Sequence, residues 1–209
     1  PTGATGHNRI NVGQLAETAI VISDHQHLPK VLHGAIQLKN EVRIIRDLFS
    51  DPSHAPGDAM QITRRLEFDA GHRIPDHASQ CRHLHGHRYA LEITLSGDII
   101  RADGVPDNGM VVDFGQVKAI AQQHLVNVWD HAFLAYRGDQ LVVEMLQRIP
   151  NHKTVLLDVV PTAENLAVEA FRILDPLYTG VFQNHVRLEQ VRLYETPNCW
   201  ADAHRSDIV

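Results

Sequence analysis

The stretch Phe68-Asp69-Ala70-Gly71-His72-Arg73, followed after a short loop by Cys81-Arg82-His83-Leu84-His85-Gly86-His87-Arg88-Tyr89, decides how this chain folds. Upstream, apolar residues fall on even positions (Ile62, Leu66, Phe68, Ala70), with Arg64 the exception. Thr63, Arg65, Glu67 and Asp69 take the odd ones. That alternation marks a half-buried strand, and His72 continues its apolar face. Downstream, Tyr89, Leu91, Ile93 and Leu95 alternate with Arg88, Glu92 and Thr94, so His85 and His87 extend a second apolar face. Pro75, Asp76 and Ser79 lie in the loop between, and the pattern predicts a hairpin of strands at about 61–73 and 85–98.

Two imidazoles at i and i+2 on a strand point the same way, and a third from the antiparallel neighbour can meet them. Three neutral imidazole nitrogens suit Zn²⁺ and leave a fourth position open, the pattern of a catalytic site. The chain holds 15 histidines, so chance clustering is the competing explanation. Three imidazoles on an apolar face, however, are costly to bury unless something pairs with them. His72, His85 and His87 are therefore the expected ligands. His83 shares their parity but lies nearer the loop, and Gly86 marks His85-Gly86-His87 as a place of close backbone approach.

A 44% hydrophobic content over 209 residues suits one globular domain, or one domain with an appendage. The net charge of −6 argues against a general nucleic-acid binder. No apolar run approaches the roughly 18 residues of a membrane span, and no signal peptide is evident, so a membrane partner is not expected. Cys81 and Cys199 leave one possible disulfide, but two cysteines in a chain this long fit a reducing cytoplasm better.

Residues 1–59 open with a Gly/Thr/Asn-rich segment that reads as loop or disorder. Leu28, Val31, Leu32, Ala35, Leu38, Val42, Ile45 and Phe49 predict a helix from about Pro29 to Phe49. A linker at 50–59 follows. His25, His27 and His33 read as solvated or structural. Met60 stands directly before the first strand, which raises the alternative that the functional protein begins there. The expected division is an extension at 1–59 and a domain at 60–209.

Beyond the hairpin, residues 101–110 are turn-rich. Asp113 with Gln116 resembles a capping box for a helix whose buried stripe is Val117, Ile120, Ala121, His124 and Val128. Asp130-His131 closes that helix, and by itself reads as a C-terminal charge arrangement. Asp139 to Arg148 predicts a short helix and Thr154 to Val160 a β-like segment. Thr162 is a natural N-cap for a second helix with Leu166, Ala170, Ile173 or Leu174, and Leu177 buried. The last strands are Val186 to Thr196 and about 198–204. Glu195 shares the face of Val191 and Leu193, and a carboxylate among apolar neighbours needs partners.

Six ordered motifs now carry a resemblance: Phe68-x-Ala70-x-His72-Arg73, Cys81-x-x-x-His85-Gly86-His87-x-Tyr89, Val112-Asp113-Phe114, Asp130-His131, Pro161-Thr162-x-Glu164-Asn165 and Glu195-Thr196. Together they resemble the 6-pyruvoyltetrahydropterin and 6-carboxytetrahydropterin synthase family from about Met60 to Ala203. The resemblance implies an α+β tunnelling fold: a four-stranded antiparallel sheet with two helices packed on one face, oligomerising into a β-barrel. It implies a homo-oligomer, expected as a hexamer with active sites between subunits, and one Zn²⁺ per subunit on His72, His85 and His87. Cys81, Asp130 and His131 become the catalytic residues, the cysteine and the Asp-His pair coming from adjacent subunits. Glu195 becomes the anchor of a pterin, with Thr162 and Glu164 as further substrate contacts.

The implied substrate is 7,8-dihydroneopterin triphosphate. Arg73, Arg82, Arg88 and Lys118 are the candidate phosphate-binding cations. Three residues separate Cys81 from His85, which resembles the 6-carboxy type of the queuosine pathway; the pyruvoyl type has a longer gap. Arg82-His83, where the carboxy type often has Gly-Arg, and the long connection at 132–160 depart from the family pattern. A zinc hydrolase or cyclohydrolase that dispenses with Cys81, and a non-catalytic pterin-binding relative, are the competing classes.

Overall fold

The computed structural model describes residues 59–208. The helix expected at 29–49, the linker before Ala59 and the three early histidines lie outside them. The expected hairpin forms from β1 (Met60–His72) and β2 (His85–Gly97), antiparallel and in unbroken register from Met60↔Gly97 to His72↔His85. The even residues of β1 and the odd residues of β2 share the core face, where Leu66, Phe68, Tyr89, Leu91, Ile93 and Leu95 are buried. Gly86 stands opposite Gly71. A Cβ at Gly86 would come within 2.9 Å of the Ala70 carbonyl oxygen, so the close approach expected there is that of β1 itself.

α1 begins at Phe114, with Asp113 as N-cap accepting from the Gly115 N–H at 2.7 Å. It runs as α-helix to Ala121, as a π turn over Gln122–Val126, and as a last α turn over Asn127–Trp129. The π turn inserts an extra residue per turn and shifts every later position around the axis. The buried stripe is therefore Val117, Ala121, Leu125, Val126 and Trp129, and the expected His124 and Val128 are only half-buried.

The connection at 132–160 corrects the four-stranded expectation. It contributes β3 (Ala132–Tyr136), α2 (Gln140–Gln147) and β4 (Thr154–Leu157). β3 pairs parallel to β1, Ala70 facing Ala132 and His72 facing Leu134, and β4 pairs parallel to β3. Parallel neighbours need a crossover, which α2 supplies. α3 (Ala163–Phe182) follows, then β5 (Val186–Thr196) and β6 (Cys199–His204). The sheet has six strands in the order β4-β3-β1-β2-β5-β6. Its four antiparallel strands, β1, β2, β5 and β6, are those the sequence predicts.

α1 and α3 pack on one face, around Phe68, Tyr89, Trp129, Leu134, Leu166, Leu174 and Leu193. Tyr178 of α3 donates its hydroxyl hydrogen to the Val117 carbonyl at 3.0 Å and ties the two helices together. α2 lies on the opposite face, where Val142, Val143 and Leu146 cover Ala135 and Phe133. Among the described residues no helix is long and apolar enough to cross a membrane.

Candidate metal centre and active site

The mouth of the β1–β2 hairpin brings His72, His85 and His87 together. Their ring centroids lie 4.5, 5.1 and 4.9 Å apart, and one ring nitrogen from each falls within 4.8 Å of the others. His72 is fully buried; His85 and His87 are half-buried.

The tautomers follow from the hydrogen bonds. His72 Nδ1 lies 2.7 Å from the Pro161 carbonyl oxygen, which can only accept, so this nitrogen carries the proton and Nε2 keeps its lone pair. His85 Nδ1 likewise donates to the His83 carbonyl at 2.8 Å. Such bonds orient imidazoles for a metal and raise their basicity. The Nε2 atoms of His72 and His87 are buried without a hydrogen-bond partner among the described residues. Two buried ring nitrogens without partners, that of His72 with its lone pair free, are costly in one place unless something receives them. Burial lowers the pKa of His72, against the opposing pull of the Pro161 carbonyl and Glu195, and burial lowers that of His87. Both are held in the neutral form a metal requires. His83 contributes its carbonyl, and its exposed side chain stays outside the trio.

Glu195, near the end of β5, reaches the same place. Its Oε1 is 3.4 Å from His72 Nε2 and 3.9 Å from His87 Nε2. Tyr89 is buried against the trio, its ring 6.0 Å from that of His72 and 5.7 Å from that of His87, with its hydroxyl unpartnered among the described residues. Burial, then the charges of Glu195 and Cys81, push its phenol far above the ordinary range. Cys81 sits half-buried on a 3₁₀ turn (Gln80–Arg82), and its carbonyl accepts the Ile74 N–H at 2.8 Å, which closes the loop.

Asp130-His131 is built elsewhere. Asp69 of β1 turns both backbone groups toward it: its N–H donates to Asp130 Oδ1 at 3.0 Å, and its carbonyl accepts the His131 N–H at 2.6 Å. The Asp69 N–H is the chief reason the Asp130 carboxyl titrates below its ordinary value. Asp130 Oδ2 holds His131 Nδ1 at 2.9 Å, and the imidazole is largely exposed. His131 has φ of 55°, a left-handed conformation few non-glycine residues adopt. It lines an open cavity of about 510 Å³ with Asp69, Gly71, His87, Arg88, Phe133 and His152. Asp69, Gly71 and Phe133 lie at positions facing away from α1 and α3. Among the described residues no hydrogen bond or ion pair joins Asp130 or His131 to Cys81.

Thr162 caps α3, accepting the Asn165 N–H at 3.3 Å, and Glu164 is exposed in the first turn. Among the candidate phosphate ligands, Arg73 is held by buried Asp139 at 2.6 Å, and Arg88 pairs with Glu67 at 2.9 Å on the face away from the trio. Arg82 and Lys118 are exposed. The sequence reading missed the roles of the Pro161 carbonyl, Tyr89 and Asp139. The first two stand inside quoted motifs, but nothing in local periodicity assigns them a partner.

An α+β sheet with two helices on one face and three convergent imidazoles at a hairpin mouth defines a protein with a candidate metal centre of the open, three-histidine kind. The chain belongs to the 6-pyruvoyl tetrahydropterin synthase family, whose model matches residues 61–206. It is 36% identical over 144 residues to the 6-carboxy-5,6,7,8-tetrahydropterin synthase of Rickettsia bellii, covering 68% of this chain and 99% of that one. It is 28% identical over 145 residues to the Haemophilus influenzae protein of the same name, covering 68% and 96%. The fold matches an uncharacterized protein of Wolinella succinogenes (TM-score 0.59, 22% identity, 71% of this chain and 99% of that one). It also matches the 6-pyruvoyl tetrahydropterin synthase of Plasmodium vivax (TM-score 0.54, 17% identity, with the same coverage).

Proposed function

We propose that the protein is a zinc-dependent 6-carboxy-5,6,7,8-tetrahydropterin synthase. In this reaction 7,8-dihydroneopterin triphosphate and water give 6-carboxytetrahydropterin, acetaldehyde and triphosphate. The observation that carries the reading is the convergence of one ring nitrogen each from His72, His85 and His87 beside Glu195 and Tyr89, at a hairpin mouth whose loop carries Cys81. The 6-carboxy product is favoured by the names of the Rickettsia and Haemophilus relatives and by the three-residue spacing from Cys81 to His85.

Each side chain has a definite task. Glu195 accepts the pterin's 2-amino and ring N–H hydrogens, two donors in a row that a carboxylate matches bidentately. His72, His85 and His87 would hold zinc, which supplies Lewis acidity to the substrate's side-chain oxygens. Cys81, as thiolate, moves the protons on the adjacent carbons. Asp130 fixes the His131 tautomer so that Nε2 can exchange a proton with the thiol. No hydrogen bond or ion pair joins that pair to Cys81 among the described residues, which supports a complete site shared between subunits of a homo-oligomer, expected as a hexamer. Among the described residues the outer edges of β4 and β6 are open to pairing. Thr162 and Glu164 stand at the mouth of α3, beside the carbonyl that holds His72, as further substrate contacts. The two free thiols fit a reducing cytoplasm.

The test is to incubate zinc-loaded protein with 7,8-dihydroneopterin triphosphate, identify the pterin product by mass spectrometry and assay acetaldehyde. Acetaldehyde with 6-carboxytetrahydropterin is expected. A 6-pyruvoyl product without acetaldehyde would keep the site and change the reaction.

A further inference from the structure

We propose that Glu195 is the fourth ligand of the metal in the substrate-free enzyme, and that it leaves the metal when the pterin draws its carboxylate away. The proposal rests on the pterin-synthase reading for its second half only.

Donor atoms about 2.0–2.2 Å from one tetrahedral ion stand roughly 3.3–3.6 Å from each other. Glu195 Oε1 lies 3.4 Å from His72 Nε2 and 3.9 Å from His87 Nε2. The first distance falls within that range and the second lies a little beyond it. Both nitrogens are buried and have no hydrogen-bond partner among the described residues, and the His72 one, whose Nδ1 carries the proton, faces the carboxylate with a lone pair. Anionic oxygen against lone pairs is repulsive unless a cation lies between them. Glu195 is placed for this by its strand: it shares the face of Val191 and Leu193, which are fully buried against the core, so its side chain is aimed inward along the sheet.

The pterin role and the metal role compete for one carboxylate. A carboxylate accepting two pterin N–H bonds side by side presents both oxygens to the ring and cannot also hold the ion in the same geometry. Substrate recognition and the opening of a coordination position thereby become one event. The site stays closed until a molecule with the correct donor pair arrives.

The test uses the full chain loaded with Co²⁺, whose visible absorption reports ligand type and number, and Zn²⁺ affinity measured against a chromophoric chelator. Glu195→Gln keeps the volume, and Glu195→Asp keeps the charge but falls one methylene short. Circular dichroism of the metal-free variants checks that they fold. Removing an outer partner of a ligand costs about 10- to 100-fold in affinity, so losing a ligand is expected to weaken Zn²⁺ at least tenfold in both variants, with a changed Co²⁺ spectrum. Saturating 7,8-dihydroneopterin, which lacks the triphosphate leaving group, is expected to shift the wild-type spectrum toward that of Glu195→Gln. Unchanged affinity and spectrum in both variants would overturn the ligand role, whatever the substrate. Pterin that binds, by its own fluorescence, without moving the wild-type spectrum would overturn the exchange. Failure of pterin to bind at all would sink the exchange together with the pterin-synthase reading, while the pterin-free arm still decides the ligand role.

Discussion

His72 gives its Nδ1 hydrogen to the Pro161 carbonyl at 2.7 Å, so the start of α3 sets the orientation of a candidate ligand on β1. That carbonyl is itself positioned by Asn165, whose Nδ2 donates to the Val160 carbonyl at 2.9 Å while its backbone N–H meets the Thr162 hydroxyl. Asn165→Ala is expected to weaken Zn²⁺ binding about tenfold, as loss of a ligand's outer support does. Stability should fall by about 1 kcal/mol from the lost hydrogen bond. Chelator competition and urea unfolding measure the two effects. A stability loss with unchanged zinc affinity would sever the link from α3 to His72.

The sequence made the trio legible because a strand's period of two is local: the side-chain direction of His72, His85 and His87 follows from their neighbours alone. β3 was not legible. Ala132-Phe133-Leu134-Ala135-Tyr136 pairs in parallel with β1 across about 60 residues, with no turn to announce it. The π turn escaped for a different reason. Periodicity assumes a constant 3.6 residues per turn, and one inserted residue moved the buried positions from His124 and Val128 to Leu125 and Trp129. Asp139 looked like a helix start. Its burial against Arg73 depends on α2 crossing to the far face, which no window of sequence contains.

The histidine shifts fix the sign of a pH effect. Unfolded, His72 and His87 take up protons as pH falls through 6.5; folded, burial holds their pKa lower, so they stay neutral longer. The unfolded chain then binds more protons in this window, and stability rises with pH across it. For metal-free protein, the unfolding free energy should be level above about pH 7.5 and decline as pH drops below 6.5. Asp130 and Asp202, whose pKa values are lowered by the Asp69 N–H and by Arg192 respectively, add a further loss as pH falls below about 4. Free Zn²⁺ at 100 times its Kd should add about 2.7 kcal/mol near neutrality. Urea titrations from pH 8 to pH 3 test both windows, and a level curve between pH 7 and 5 contradicts the first.

Arg73 and Asp139 predict a split between stability and substrate binding. Asp139 is buried and Arg73 Nε lies 2.6 Å from its carboxylate, so neither is free for other work. Removing one partner of a buried pair costs about 3–5 kcal/mol, and the part-exposed Arg73 reduces that to roughly 2. Arg73→Met and Asp139→Asn should each destabilise by this amount, and Arg73→Met/Asp139→Leu should recover much of it. Arg82→Ala, which breaks no ion pair among the described residues, should leave stability within about 0.5 kcal/mol and raise KM for the triphosphate substrate. A raised KM in Arg73→Met with unchanged stability would reassign the phosphate contact.

The separation of Cys81 from Asp130-His131 yields the strongest test of assembly. Asp130 and His131 are clamped to the Asp69 edge of β1 and open onto a cavity at sheet positions facing away from α1 and α3, whereas Cys81 lies by the hairpin mouth. If each complete site takes its cysteine from one subunit and its Asp-His pair from another, Cys81→Ala and His131→Ala are each inactive alone. Mixed oligomers would still contain sites in which both contributing chains are intact at the position that matters. Random assembly of equal amounts makes roughly a quarter of sites whole, as a repeated interface between identical chains requires. Refolding the two variants together, then assaying acetaldehyde against wild type at equal zinc content, is expected to recover about that fraction. Separately refolded variants combined only at the assay should recover none of it, because the chains must exchange to build the site. Recovery of nothing in the co-refolded sample, with a mixed oligomer demonstrated by mass, would place Cys81 and His131 in one chain's site and require the loop at 73–84 to move across the sheet edge.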